Sequence, residues 1–85
     1  MAATRMMFRT VVTGDGIGTV EAVVLDAPAN PGHVVMYAHI GQHGEGTWEY
    51  VRRNTRDASP NERRPLLREL QGIYGAIKRD VKSGD

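Results

Sequence analysis

The chain contains no cysteine and few aromatic residues: one Phe, one Trp and three Tyr among 85 residues. Without thiols, disulfide bonds, thiolate zinc sites and cysteine nucleophiles are excluded. A chain this short builds one modest hydrophobic core and has no room for an enclosed cofactor. We therefore expect a single domain, residues 1–85, which uses no cofactor and gains stability from self-association as a homo-oligomer.

Long apolar runs are also missing, and the first eight residues lack the apolar and small-residue segments of a signal peptide. The sequence therefore predicts a cytoplasmic protein without a membrane partner. Charge is distributed unevenly, because the first 50 residues are net acidic and the remainder is net basic. Such asymmetry favours an anionic partner or head-to-tail association.

Three β-prone segments before residue 41 predict an antiparallel sheet. The first segment, residues 5–13, is followed by glycines at 14, 16 and 18, which allow the positive φ angles of a hairpin turn. Residues 19–26 are rich in valine. The prolines and the glycine of residues 27–32 then separate that segment from a third strand at residues 33–40.

The third strand alternates between two sets of side chains, one of them wholly apolar. This apolar set should face the core, and consists of Val34, Met36, Ala38 and Ile40. Tyr37 belongs to the other set, which we expect to look outward or into a second interface. Exposed apolar and aromatic candidates, including Val35 and Trp48, favour a homo-oligomer. Residues 41–58 are rich in glycine at their start and are expected to form a loop or a short strand.

A C-terminal helix is predicted by a capping box, in which Ser59 is followed by Pro60 and Glu62. An apolar stripe at helical spacing follows and predicts a helix over about 60–80, with a frayed tail at 82–85. The predicted fold class is α+β. A small antiparallel sheet of three to four strands packs its apolar face against one C-terminal amphipathic helix.

Polar and aromatic side chains gather at the end of the third strand, where the chain reads Tyr37-Ala-His39-Ile-Gly41-Gln42-His43. Imidazole and amide groups donate or accept hydrogen bonds, and aromatic rings stack on planar ligands. This mixture predicts a recognition site. The structural alternative is that His39, Gln42 and His43 bond to the backbone or to the helix start, and hold the segment in place without a ligand.

The same segment, followed by Ser-Pro-Asn-Glu at residues 59–62 and Glu-Leu at residues 69 and 70, resembles an uncharacterised family of small phage and mobile-element proteins. That family is marked by a Tyr-x-His-x-Gly-Gln-His motif. At residues 73–75 the chain departs from it, because family members carry Ile-Gly-Tyr there before a final strand. The resemblance implies an origin, and with it the host-cell cytoplasm, but no mechanism.

The histidines also suit two other chemistries. His39 and His43 could share a metal ion with Glu45 or Glu49, but two imidazoles and one unassigned carboxylate are a sparse ligand set, so we expect no metal. Either histidine could serve as the general base of a small histidine-dependent hydrolase. No nucleophile is in view, because Ser59 is explained as a helix cap.

Arginines after Trp48 could hold phosphate groups, but acidic residues between them dilute the basic field, so nucleic acid is not favoured. We expect a non-enzymatic binding module of phage or mobile-element origin, a counter-defence protein that sequesters a small anionic or nucleotide-derived molecule. An inhibitor that binds a host protein is the first alternative, and the hydrolase is the second. The expected ligand-binding residues are Tyr37, His39, Gly41, Gln42, His43, Trp48, Arg52, Arg53 and Arg56.

Overall fold

A computed structural model describes residues 3–38 and 42–79, and within these ranges it contains six strands and two helices. The strands are β1 (Thr4–Val11), β2 (Val20–Val24), β3 (His33–Ala38), β4 (Gln42–Thr47), β5 (Thr55–Asp57) and β6 (Ile77–Arg79). The helices are α1 (Trp48–Asn54) and α2 (Pro60–Tyr74). The predicted α+β class is confirmed, with the C-terminal helix packed on the sheet.

The sheet runs in the order β4-β3-β2-β1-β5, and neighbours along this path are antiparallel. The outer edge of β1 is shared by two short strands. β5 pairs with residues 9–11 of β1, and β6 pairs in parallel with residues 4–6. These strands extend the sheet beyond the predicted three to four, because three residues are too few to show a period-two pattern in the sequence.

The two helices cover opposite faces of the sheet. α2 packs on what we call the α2 face, where Leu70 contacts the core. α1 packs on the other, the α1 face, through Val51. Both side chains are fully buried, and full burial of a side chain of this size contributes about 1.5–3 kcal/mol. The buried strand residues of the α2 face are Met6, Phe8, Ala22, Val24 and Tyr37, and those of the α1 face are Met7, Val23 and Val34.

Covering both faces changes the predicted orientation of β3. Val34 and Met36 lie on the α1 face, so the apolar set does not meet the C-terminal helix as expected. The outward orientation of Tyr37 is also wrong, because Tyr37 is 1% exposed and lies against α2. Val35 packs against the same core. Alternation separates the two sets of side chains, but it does not say which helix covers which set.

The region predicted as a loop or short strand forms β4, α1 and β5. β4 exists despite Gly44 and Gly46, because all six of its residues pair with β3 and this pairing outweighs the weak strand propensity of glycine. α1 begins at a cap, where the Thr47 side-chain oxygen accepts from the backbone nitrogen of Tyr50 at 3.0 Å. The helix is a correction to the prediction.

α2 starts where the capping box predicts. Ser59 Oγ accepts from the backbone nitrogen of Glu62 at 3.2 Å, and Glu62 Oε1 accepts from the backbone nitrogen of Ser59 at 2.8 Å. The helix ends at Tyr74 and not near residue 80, because Gly75 adopts a φ of 76° that glycine tolerates and the chain continues into β6. Neither described helix is long and apolar enough to cross a membrane.

Candidate functional site

Tyr37 and His43 lie side by side on the α2 face, because they are directly opposite each other in the β3–β4 register. Their ring centroids are 4.7 Å apart in an edge-to-face arrangement. α2 completes the cluster. The Tyr37 hydroxyl donates to Glu69 Oε2, and His43 Nε2 lies 2.6 Å from the Tyr74 hydroxyl oxygen. Together the four side chains tie the β3–β4 end of the sheet to the C-terminal helix.

The contacts of this cluster give Tyr37 and His43 a structural role. Burial leaves the Tyr37 ring no free face on which a ligand could stack. His43 is exposed, but its Nε2 atom is engaged by Tyr74. The structural alternative from the sequence is that His43 bonds to the backbone or to the start of the helix. In the structure His43 contacts α2, but through the side chain of Tyr74.

Trp48 and two of the predicted arginines lie across the sheet, on α1. Trp48 is the first residue of α1 and packs beside the core of the α1 face. Arg52 and Arg53 are exposed in the last turn, with Arg53 Nη1 3.4 Å from Glu49 Oε1. The sheet therefore separates Trp48 from Tyr37, and these two rings cannot hold one ligand between them.

Arg56 is engaged at the start of α2. Its guanidinium donates to the two carboxylate oxygens of Glu62 at 2.8 and 2.7 Å. The hydrogen bond from Arg56, and after it the one from the Ser59 backbone, lowers the pKa of Glu62 to about 2. A phosphate at Arg56 would have to displace this carboxylate, so the residue serves the helix cap.

The other predicted site residues are less fully described. His39 and Gly41 lie outside the described residues, and for Gln42 only the backbone pairing with Ala38 is described. The residues predicted as one recognition loop are thus divided among the α2 face, α1 and the α2 cap. The loop itself becomes an edge strand from Gln42 onward.

A groove opens on the α1 face between β4 and α1, and we call it the α1-face groove. Its volume is about 400 Å³, within the range of small-molecule sites. Alternation points Gly44 and Gly46 to this face, opposite Met36 and Val34. The missing side chain of Gly44 leaves space open, whereas the Met36 side chain occupies the space beside Gly46. A Cβ atom on Gly44 would meet no atom within 4 Å, whereas one on Gly46 would lie 2.5 Å from Met36 Sδ.

One hydrogen-bonded pair gives the groove a polar wall: Tyr50 Oη donates to Glu21 Oε1 at 3.0 Å. Burial, followed by the charge of Glu21 and the hydrogen bond to it, raises the pKa of Tyr50 to about 12. At neutral pH Tyr50 is therefore a donor and Glu21 is an acceptor with a second oxygen. Arg9, which is 4% exposed, lies directly opposite Glu21 in the β1–β2 register.

A second groove, of about 360 Å³, lies between the start of β2 and the first half of α2. Its lining is mainly apolar and includes Val20, Pro65 and Leu66. The carboxylate at its rim, Glu62, is already bound by Arg56. Because a few convergent polar groups orient a ligand in its site, the α1-face groove fits a polar ligand better.

Within residues 3–38 and 42–79, no three side chains of the metal-ligating types come together. The one described residue of the predicted histidine pair, His43, contacts aromatic rings of Tyr37 and Tyr74.

No protein-family model matches the chain, and no match is found among curated proteins or among solved structures. No ligand or activity can therefore be transferred from a relative. The assignment of function depends on the chemistry of the residues that line the α1-face groove.

Seven of the eight residues that line the groove, among them Glu21, Met36 and Tyr50, are absent from the predicted site, and His43 is common to both. The sequence does contain one signal for the groove, because two glycines two residues apart in a strand leave one face of that strand bare. Recognising this requires knowing that residues 42–47 form a strand. Tyr50 carries no such signal, since it reaches the groove only because α1 folds across the sheet.

Proposed function

We propose that the protein is a non-enzymatic binding module that sequesters a nucleotide-derived small molecule in the α1-face groove. The observation that carries the proposal is the groove itself, with about 400 Å³ of space and a carboxylate–phenol pair on its wall. In the phage or mobile-element setting that the Tyr-x-His-x-Gly-Gln-His resemblance implies, such sequestration in the host cytoplasm would serve counter-defence.

The groove suits a flat ring with N–H groups on its edge. Met36 and Ala38 supply an apolar surface, and the bare backbone at Gly44 lets a ring approach closely. The Glu21 carboxylate accepts hydrogen bonds, and its second oxygen is available to amino and imino groups such as those of a purine. Because Glu21 Oε1 already accepts from Tyr50, the ligand donates to the second oxygen, and the charge of the carboxylate strengthens that bond.

The charged part of a nucleotide would lie outside the groove, beside α1. Arg53 follows Tyr50 by three residues, and residues at this spacing are neighbours on the helix surface. Its ion pair with Glu49 is highly exposed, and exposed pairs contribute only about 0–1 kcal/mol. A phosphate can therefore replace Glu49 as the partner of Arg53, which lies among the residues predicted to bind the ligand.

The polar groups of the groove favour binding over catalysis. Tyr50, with a pKa of about 12, holds its proton at neutral pH and cannot serve as a base there. Glu21 is engaged by Tyr50 and lies opposite Arg9. A hydrolase would need a second group that activates water, and the expectation of a histidine base is not helped by a His43 ring that contacts Tyr74.

Calorimetric titration with a panel of nucleotides and cyclic nucleotides tests the proposal. We expect one ligand class to bind with a measurable heat, and Glu21→Gln to weaken that binding about tenfold or more, since hydrogen bonds to charged groups contribute about 1.5–3 kcal/mol. Absence of heat for every nucleotide, with a sample shown to be folded by circular dichroism, would overturn the proposal.

A pair of glycine variants separates the groove from general effects. Gly44→Leu places a side chain in the open groove, where a Cβ meets no neighbour, and should abolish binding while the fold is retained. Gly72→Leu is the matched control, because Gly72 lies in α2 and a Cβ there also meets nothing within 4 Å. Equal affinity in the two variants would place the ligand elsewhere on the protein.

A further inference from the structure

The outer edge of β4 presents backbone groups to which no other described strand is paired. The backbone nitrogen of Trp48 donates to the Gly32 carbonyl at 3.2 Å, one step beyond the last β3–β4 pair. Hydrogen-bonded and non-hydrogen-bonded pairs alternate along an antiparallel ladder. Gly44 and Gly46 therefore direct their N–H and C=O groups to β3, and those of His43 and Glu45 point away from the sheet.

We propose that this edge pairs antiparallel with β4 of a second copy, around a twofold axis at Gly44. His43 then lies opposite Glu45 of the second copy, and Glu45 lies opposite its His43. Both residues present their backbone groups outward, so each of these pairs exchanges two hydrogen bonds. The contact is isologous, with the same surface used by both copies, as closed dimers require.

Avoidance of facing carboxylates selects this register. His43 and Glu45 lie on the same face of β4, the α2 face, and both are exposed. Like charges directly opposite each other across a strand pair are unfavourable, whereas an imidazole can donate a hydrogen bond to a carboxylate. A twofold axis at Glu45 would set two carboxylates against each other, whereas the axis at Gly44 forms two histidine–glutamate pairs. The centre of the contact has no side chain, so the strands meet without steric conflict there.

The strand also lacks the features that keep edge strands apart. Sheet edges are usually protected by proline, lysine, a bulge or a covering element. β4 has neither proline nor lysine, and its ladder with β3 is regular over all six residues. Its one charge, on Glu45, faces the imidazole of His43 of the second copy in the proposed dimer.

Pairing at this edge would extend the α1-face groove into the second copy. The proposed dimer does not depend on the proposed function. A twofold axis in antiparallel strand pairing is perpendicular to the sheet, so the α1 faces of both copies lie on the same side. Gly44 and Gly46 line each groove, and they belong to the outermost strand at this end of the sheet. The two grooves therefore adjoin across the new strand pair, and form one longer groove with a Tyr50 near each end.

Sedimentation equilibrium of the unliganded protein over a range of concentrations is the test. We expect a monomer–dimer equilibrium, and Glu45→Lys should raise the dimer Kd about tenfold or more, because an ammonium group cannot accept the hydrogen bond that the carboxylate accepts from His43 in each of the two pairs. The double variant His43→Glu with Glu45→Lys places opposite charges in both pairs and should restore the dimer. Glu49→Lys is the matched control, since it makes the same charge change at an exposed position of α1.

A backbone variant tests the same edge independently of charge. Glu45→Pro removes an N–H group that points away from β3, so the fold should tolerate it while the edge loses a donor. A monomer at all concentrations in the wild type would overturn the proposal, as would a dimer that persists in Glu45→Pro or a host protein that binds there instead. Glu21→Gln should leave the dimer unchanged, which distinguishes failure of this inference from failure of the ligand proposal.

Discussion

Each face of the sheet carries one tyrosine that donates to a glutamate, and the two pairs differ in their surroundings. On the α2 face, Tyr37 donates to Glu69 from a position that is 1% exposed. On the α1 face, Tyr50 donates to Glu21 at the wall of an open groove. The Tyr37–Glu69 hydrogen bond therefore stabilises the packing of α2, whereas the Tyr50–Glu21 hydrogen bond beside α1 is accessible to a ligand.

The size of the covering helix explains the difference. α2 has 15 residues and contributes two side chains to a core of eight buried residues, whereas α1 has seven residues and contributes one to a core of four. A short helix leaves part of its sheet face uncovered, and at Gly44 and Gly46 that part has no side chains of its own. We conclude that the α2 face stabilises the fold and the α1 face has space for a ligand.

Truncation in the two cores should give the largest contrast. We expect Leu70→Ala on α2 to lower the free energy of unfolding by about 2–5 kcal/mol. Val51→Ala on α1 should cost about 2 kcal/mol, because two buried methyl groups are lost at roughly 0.8 kcal/mol per carbon, with a small cavity added. Urea denaturation measures both. Equal losses would mean that the α1 core is as important to stability as the α2 core.

Removing the tyrosine hydroxyl on each face should change the free energy of unfolding by an intermediate amount, and it compares the two hydrogen bonds directly. Tyr37→Phe should cost about 1.5–3 kcal/mol, because it removes a buried hydrogen bond to a carboxylate. Tyr50→Phe should cost about 1 kcal/mol or less, since water can reach Glu21 in the open groove. Both rings remain, so packing is matched. A larger loss in Tyr50→Phe than in Tyr37→Phe would contradict the structural role of the α2 face.

Alkaline pH should give the smallest and most specific effect. Burial and Glu21 raise the pKa of Tyr50 to about 12 from an ordinary value of 10.0. The folded state thus holds this proton more tightly than the unfolded state, so the contribution of Tyr50 is fully present below about pH 10 and is lost between about pH 10 and 12.

The measurement compares unfolding free energies near pH 9 and near pH 11. The wild type should lose more stability over this interval than Tyr50→Phe does, while other tyrosines contribute equally to both proteins. If the two proteins lose the same amount, the Tyr50–Glu21 hydrogen bond does not perturb Tyr50 in solution.

Local signals in the sequence predict a large part of the fold. The hairpin turn between β1 and β2 has Gly14, Gly16 and Gly18 at positive φ angles, as their spacing indicates. The start of α2 is confirmed by both hydrogen bonds of the capping box. These features depend on residues close together in the chain, so propensity and spacing suffice to predict them. The C-terminal end of α2 is predicted wrongly, because a lone glycine such as Gly75 stops a helix only in some contexts.

The candidate site was much less predictable. The sequence drew attention to residues 37–44, and β4 from that region does border the groove. Yet Tyr37 and His43 contact α2, and Arg56 binds Glu62. Trp48 lies in α1, a helix that is not predicted from the sequence. Tyr37 and His43 do meet in space, but α1 carries Trp48 to the other face of the sheet, so residues that are close in the sequence do not form one site.

The sequence by itself determined the α+β class, the glycine turn after β1 and the start of the C-terminal helix at Ser59, because each depends on local backbone preference. Only the tertiary structure decided that β4 is a strand, that α1 covers a second face, and that Glu21, Met36 and Tyr50 meet in one groove. These outcomes depend on cross-strand register and helix packing, which bring together residues far apart in the chain. The alternation of side chains in β3 and β4 can be seen in the sequence. Which of the two faces packs against α1 and which against α2 is decided by strand pairing and helix packing.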